Sequence, residues 1–147
     1  SIHFFRLTKI IVYSVLNSKA MAAPKLIKPT ESELEILQIL WEKGVATVRE
    51  VHERLAITKD VGYTTTLKLM QIMNEKGLVT RNVMSKTHIY TPTIQREIAQ
   101  EQYLNKIIHT LFGGNASQLV LQALGTHHTS KNDLDQIKTM INSLQNK

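Results

Sequence analysis

Between residues 30 and 77 the apolar positions recur every three or four residues, which is the spacing of helices with one buried face. They fall into three groups, and each group predicts one helix: Leu34, Leu37, Leu40 and Trp41; Val48, Val51 and Leu55; Tyr63, Leu67, Met70 and Met73. The third helix is expected from about Val61 to Lys76. Gly44 and Gly77 follow the first and third groups, and glycine is the residue most often found just past the end of a helix.

Two of these helices begin with a capping box, in which a threonine hydroxyl accepts a backbone N–H and a glutamate three residues later reaches back. Thr30 with Glu33 begins the first helix, and Thr47 with Glu50 begins the second. A polar turn at residues 58–60 then separates the second helix from the third.

After Gly77 the pattern of apolar residues changes to that of short strands. Leu78–Arg81 and Thr87–Tyr90 predict the two strands of a hairpin, which Pro92 closes. Three helices followed by a hairpin are typical of a winged helix-turn-helix domain, here residues 29–92. The predicted fold class is mainly α with a small β-hairpin wing.

Helical spacing returns after the hairpin and predicts three further helices. A long helix runs over residues 93–112 and ends at Gly113-Gly114. Asn115 caps a shorter helix through Leu124, and Ser130 caps the last one.

These C-terminal helices carry apolar stripes but have too few aromatic and large residues to close a core of their own. In a DNA-binding protein such stripes usually pack against a second copy of the chain. We therefore expect residues 93–147 to be a helical dimerisation domain; the alternative is that these helices fold back on the winged domain. The residues expected at the dimer contact are Leu104, Ile108, Leu111, Phe112, Leu119, Val120, Ile137, Ile141 and Leu144.

Residues 1–28 carry five basic residues, no acidic ones and no capping signal, and we expect them to lie outside the fold. Three interpretations of residues 1–20 remain open. They are an extension upstream of a translation start at Met21, a basic arm that touches DNA, or an inefficient signal peptide.

The composition narrows the class of protein. Cysteine is absent, which excludes disulfides, thiolate metal sites and cysteine nucleophiles, and suits a cytoplasmic protein. The longest strongly apolar run, Ile10–Leu16, is far shorter than the roughly 20 residues of a membrane-spanning helix.

No enzyme constellation is present in the sequence. His52-Glu53 lacks the second histidine of a zinc-protease helix, and His127-His128 lacks a third ligand nearby. There is no glycine-rich phosphate loop and no nucleophile elbow. We expect no catalytic activity, no metal and no cofactor.

The net charge of +6 is compatible with a nucleic-acid partner, but its distribution is more informative than its size. Residues 29–92 hold eight charges of each sign. From Lys59 to Lys86 there are five basic residues against Asp60 and Glu75. This local basic stretch covers the third helix and the wing.

A winged helix-turn-helix places the N-terminal end of its third helix in the major groove of DNA. Three threonines at that end can meet phosphates or base edges, and Lys68 follows one turn later. The alternative is that one threonine only caps the helix and that Tyr63 belongs to the core. Further contacts are expected at the start of the second helix, where an N-terminus can hold a phosphate, and at the wing. Over these three regions the expected DNA contacts are Thr47, Arg49, Tyr63, Thr64, Thr65, Thr66, Lys68, Arg81 and Lys86.

Several blocks of the sequence resemble the penicillinase-repressor family of the BlaI/MecI/CopY type. The blocks are Pro29–Leu37, Leu40–Glu42, Ala46–His52, Tyr63–Leu67, Glu75–Val79, Tyr90–Pro92, Leu111–Gly114 and Ser117–Val120. The resemblance implies a homodimeric repressor of inducible genes, with operator DNA as its partner. It also implies a recognition helix at Tyr63–Lys68 and dimerisation through the helices after Pro92.

The resemblance further implies a mode of regulation. The β-lactam-responsive members are inactivated when a membrane-bound sensor metalloprotease triggers cleavage in the C-terminal domain. The similar segment here is Leu119–Ala123, and Gln122-Ala123 stands where those members have Asn-Phe. Copper-responsive members use C-terminal cysteines, which this chain lacks. A ligand-sensing regulator and a winged-helix protein-interaction module are the alternative functions.

Overall fold

A computed structural model of the chain describes residues 28–84 and 86–147. The described residues form six helices and one small sheet, so the predicted fold class is confirmed. In chain order the elements are α1 Glu31–Lys43, β1 Ala46–Thr47, α2 Val48–Leu55, α3 Tyr63–Glu75, β2 Val79–Asn82, β3 Ile89–Pro92, α4 Arg96–Phe112, α5 Ala116–Thr126 and α6 Lys131–Gln145. Residues 1–20, for which three interpretations are open, lie outside the described residues.

The chain divides into two compact units, the first ending at Glu101 and the second comprising Gln102–Lys147. In the first unit, both predicted capping boxes are present. The Thr30 hydroxyl accepts the N–H of Glu33, and the Glu33 carboxylate accepts the N–H of Thr30 at 2.8 Å. Thr47 and Glu50 make the same pair of bonds at the start of α2. These local bonds fix where α1 and α2 begin.

The core of the first unit is formed by α1, α2, α3 and the sheet, as the periodicity predicts. Its buried residues include Leu37, Leu40, Val48, Val51, Leu55, Met70 and Met73. Ile36 is also fully buried, because the inward face of α1 is wider than the predicted stripe. Tyr63 was expected on the buried side of the third helix, but its side chain is 47% exposed, so this expectation is wrong.

The sheet has three antiparallel strands in the order β1-β3-β2, one more than predicted. Ala46 of β1 pairs with Tyr90 of β3, and Arg81 of β2 pairs with Tyr90 on the other side. Tyr90 is buried at the centre. A two-residue strand such as β1 is too short to show the alternation of apolar and polar residues that predicts a strand. It is defined only by its pairing with β3.

The long helix begins at Arg96 rather than at Thr93. The N–H of Thr93 donates to the carbonyl of Leu78 at 3.0 Å, and its hydroxyl donates to the carbonyl of Gly77. Thr93 is therefore tied to the loop before β2, and the helical hydrogen bonds start with Ala99 N–H to Gln95.

In the second unit, the predicted helix boundaries are largely confirmed. Gly113 and Gly114 have positive φ angles of 55° and 87° and interrupt the helix, and the Asn115 side chain caps α5. Ser130 caps α6 in the same way. However, α5 continues through Gly125 instead of ending at Leu124. None of the described helices is long and apolar enough to cross a membrane.

Candidate nucleic-acid interface

The N-terminus of α3 has no side-chain cap. Gly62 occupies the cap position without a side-chain hydrogen bond, whereas α1, α2, α5 and α6 each begin with one. No acidic residue lies in the first turn of α3. Free N–H groups and the positive end of the helix dipole favour an anion at such a position.

The three threonines of this turn are not equivalent. Thr64 and Thr65 are exposed, but Thr66 is fully buried. The Thr66 hydroxyl donates to the carbonyl of Gly62 at 3.4 Å and lies 3.3 Å from Nδ1 of His52. This burial contradicts the prediction that Thr66 contacts DNA, because successive helical residues point about 100° apart and the third one faces α2.

Tyr63 lies at the surface beside this helix end. Its ring meets the ring of His52 edge to face, with the centroids 5.5 Å apart and an interplanar angle of 81°. His52 thus contacts both Tyr63 and Thr66 and joins α2 to the start of α3. No local signal in the sequence predicts this role of His52, because it depends on a contact between two helices.

The eight cations of residues 29–92 fall into two groups. Among the described residues, the side chains of Lys68, Arg81 and Lys86 are exposed and make no ion pair or hydrogen bond. Five others are engaged with carboxylates: Lys43 with Glu50, Arg49 with Glu53, Arg54 with Glu42, Lys59 with Glu35, and Lys76 with Glu33. The three unpaired cations, called here the free cations, all belong to α3, to β2 or to the loop that follows it.

The start of α2 is a different environment. The Thr47 hydroxyl bonds within its capping box, and Arg49 pairs with Glu53 at 2.9 Å on an exposed face. The backbone N–H of Thr47 and then the Lys43 ammonium lower the pKa of Glu50 to about 2. A carboxylate that stays ionised at this helix end disfavours a phosphate there. Of the two predicted contacts, Arg49 is the better placed, because an exposed ion pair is easily exchanged.

The sequence matches the family model described as penicillinase repressor over residues 29–143. The chain belongs to the penicillinase repressor family. The predicted resemblance is therefore confirmed, and with it the prediction of a DNA-binding transcriptional repressor.

Two relatives show how far this similarity extends. The methicillin resistance regulatory protein MecI of Staphylococcus aureus (strain N315) is 20% identical over 118 residues, which are 80% of this chain and 96% of MecI. The transcriptional regulator BlaI of Mycobacterium tuberculosis (strain H37Rv) is 32% identical over 74 residues, 50% of this chain and 54% of that protein.

Among solved structures, the chain is similar to the monomeric form of Bacillus licheniformis BlaI in complex with the blaP half-operator. The match has a TM-score of 0.44 and 22% identity, and it covers 50% of this chain and 89% of that one.

Many apolar side chains of the second unit are exposed to solvent. Neither α5 nor α6 contains a buried residue. Of the predicted dimer contacts, Leu111 is 75% exposed and Leu144 60% exposed. Leu104, Val120 and Ile141 are also exposed, and Ile108, Phe112, Leu119 and Ile137 are half-buried.

Two further observations concern the predicted sites. Gln122 and Ala123 are both exposed on α5, inside the helix. Within residues 28–84 and 86–147, no group of three or more histidine, aspartate or glutamate side chains is placed to hold a metal ion.

Proposed function

We propose that this protein is a non-enzymatic repressor that acts as a homodimer on a specific operator. Residues 29–92 form its DNA-binding domain and residues 93–147 its dimerisation domain. It acts where the chromosome is, in the cytoplasm. The observation that carries this proposal is the separation of the cations, because the unpaired ones lie on the elements that a winged helix-turn-helix turns toward DNA.

The free cations supply the affinity that does not depend on sequence. A lysine or arginine that is already paired with a carboxylate must lose that partner before it neutralises a phosphate, whereas Lys68, Arg81 and Lys86 need not. Each phosphate that is neutralised releases condensed counterions from the duplex. The free cations therefore predict a binding surface made of α3 and the wing.

Thr64 and Thr65 supply contacts of another kind. Both side chains are short and exposed beside the uncapped end of α3, so the helix can approach the groove closely. Their hydroxyls can meet phosphates or base edges, and their methyl groups can touch the methyl group of thymine. Tyr63, held by His52, lies at the same end.

The dimer follows from the apolar surface of the second unit. Contiguous apolar surface on a soluble chain marks an interaction site, and the usual partner of such a surface in a DNA-binding protein is a second copy. Two linked recognition helices bind an inverted repeat far more tightly than one helix binds a half-site. Dimerisation would thus provide both stability and operator affinity.

Selection of duplexes from a randomised library with the full-length protein tests this function. The expected result is an inverted repeat whose half-sites lie one or more helical turns apart, bound by two chains per duplex. Recovery of no preferred sequence, or of a single unrepeated site bound by one chain, would contradict the proposal.

For regulation, we propose that cleavage of α5 triggered by a membrane-bound sensor protease releases the operator. The bond Gln122–Ala123 is exposed, and α5 is an eleven-residue helix next to two glycines, so it can open locally. Immunoblots of source cells exposed to a β-lactam test this route. A shortened fragment that appears with derepression supports it; derepression with only intact protein contradicts it and favours a ligand that acts on the same helix.

A further inference from the structure

The imidazole ring of His52, on α2, contacts the first turn of α3 in two ways. Its Nδ1 lies 3.3 Å from the hydroxyl oxygen of Thr66, and its ring meets the ring of Tyr63 edge to face, with the centroids 5.5 Å apart. Thr66 is fully buried, His52 is half-buried and Tyr63 is 47% exposed. The imidazole therefore links the buried side of this turn to its exposed side.

The hydrogen bonds at Thr66 fix the position of the imidazole. A threonine hydroxyl has one proton, and that of Thr66 donates to the carbonyl oxygen of Gly62 at 3.4 Å. The Thr66 oxygen then accepts from His52, so the proton of the neutral imidazole lies on Nδ1. Two successive hydrogen bonds thus hold His52 near the cap position of α3, which is Gly62.

Tyr63 depends on this neighbour because of its position in the helix. A helical side chain normally packs back on the turn that precedes it, and Tyr63, the first residue of α3, has no preceding turn. A tyrosine χ1 angle otherwise populates three staggered wells. The contact with His52 favours one of them, because aromatic pairs prefer the edge-to-face geometry. His52 therefore restricts the directions in which the Tyr63 hydroxyl can point.

We propose that His52 is a positioning residue that holds the Tyr63 side chain in the conformation that contacts the operator in the major groove. The inference rests on the proposed function, in which the N-terminal end of α3 enters that groove. There a phenol can form hydrogen bonds with base edges, and its ring can pack on thymine methyl groups. His52 then increases the preference for the operator over other DNA, whereas the free cations attract any duplex.

The test compares the full-length wild type with His52→Asn, which keeps an N–H donor for Thr66 but lacks the ring. The probes are the half-site duplex obtained by selection with the wild type and a duplex of the same length and composition in scrambled order. We expect His52→Asn to bind the half-site about threefold more weakly, because the competent χ1 well falls from nearly full occupancy to about one third. Binding to the scrambled duplex should stay at the wild-type value.

His52→Phe is the matched control, since it keeps an aromatic ring beside Tyr63 and lacks both ring nitrogens. It should retain the wild-type ratio of the two affinities. A loss of this ratio as large as in His52→Asn would overturn the inference. An equal weakening of both duplexes by His52→Asn, or no weakening at all, would overturn it too. His52→Gln is a second variant without the ring, and it decides the question if His52→Asn does not fold.

A double-variant cycle tests whether His52 acts through Tyr63. Tyr63→Leu should itself weaken half-site binding, and adding His52→Asn to it should weaken binding no further. A role of His52 that bypasses Tyr63 would give the same additional loss in the Tyr63→Leu background, which contradicts the inference. Half-site binding by Tyr63→Leu as tight as that of the wild type would contradict it as well.

The wild type separates this inference from the proposed function. If the wild type binds the half-site and the scrambled duplex equally, the proposed operator recognition fails and the inference fails with it. If the wild type prefers the half-site and all His52 variants share that preference in full, only the role of His52 is contradicted.

Discussion

The ammonium group of Lys76 lies 2.8 and 2.9 Å from the two carboxylate oxygens of Glu33. Glu33 is 2% exposed and also accepts the N–H of Thr30, so one carboxylate caps α1 and holds the C-terminal end of α3. The ion pair therefore joins the start of the first helix to the end of the helix proposed to enter the major groove.

Replacing Glu33 with glutamine should lower the free energy of unfolding by about 1–3 kcal/mol, because a charge-assisted hydrogen bond at a buried position is lost. The matched control is Glu35→Gln, which removes the exposed pair with Lys59 at 2.7 Å and should cost about 1 kcal/mol or less. Urea unfolding of both variants measures the difference. An equal loss of unfolding free energy in the two variants would show that the buried Glu33–Lys76 pair contributes no more to stability than the exposed pair.

Stability should also fall in acid. Burial raises the pKa of Glu33, but the bonds from Lys76 and Thr30 outweigh it, so the pKa lies below its ordinary value of 4.5. The pKa of Glu50 is about 2. Acids whose folded pKa is lowered stabilise the fold fully above the unfolded pKa, and this contribution disappears as the pH falls through the folded pKa. Thermal unfolding between about pH 5 and 2 should show this decline, with a shallower slope for Glu50→Gln.

The threonine turn of α3 offers a matched pair of variants. Thr66→Val removes a buried hydroxyl that contacts His52, and it should lower the free energy of unfolding by about 1–2 kcal/mol without altering the salt dependence of DNA binding. Thr65→Val, on the exposed face, should weaken DNA binding with little effect on unfolding. The opposite pattern would mean that Thr66, not Thr65, faces the duplex.

Self-association should depend on the apolar stripe of α6. Ile141→Glu places a charge on this exposed stripe and should convert the dimer to monomer in sedimentation, because a charge in an apolar interface is strongly disfavoured. Thr139→Glu is the control, since residue 139 lies about 160° around the helix from Ile137 and Ile141. A dimer that survives Ile141→Glu would place the interface elsewhere.

Local signals in the sequence predicted much of this fold. The capping boxes at Thr30 and Thr47 and the glycine break at Gly113-Gly114 act over a few residues and appear where expected. Contacts between distant residues could not be read in the same way. The basic stretch from Lys59 to Lys86 contains five cations, but Lys59 and Lys76 are paired with glutamates 24 and 43 positions away.

The burial of Thr66 could not be predicted either, because the sequence does not distinguish three adjacent threonines from one another. The packing of α3 against His52 determines which of them is buried. The predicted dimer contacts and the DNA contacts other than Thr66 stay predictions. For the predicted contacts Lys68, Arg81 and Lys86, the fold adds that they form none of the ion pairs that occupy the other cations of residues 29–92.

In the proposed function, α3 and the wing bind DNA through the free cations. The most direct test is the salt dependence of DNA binding by full-length protein with Lys68, Arg81 and Lys86 all changed to alanine. The control carries the same loss of charge at the paired residues Lys43, Arg54 and Lys59.

A dimer has six free cations, and at about 0.9 per phosphate contact the slope of log K against log salt should become shallower by about 5 in the free-cation triple variant. The slope of the paired-cation control should stay at the wild-type value. Equal slopes in the two triple variants would contradict DNA binding through α3 and the wing, because binding would then depend on net charge alone.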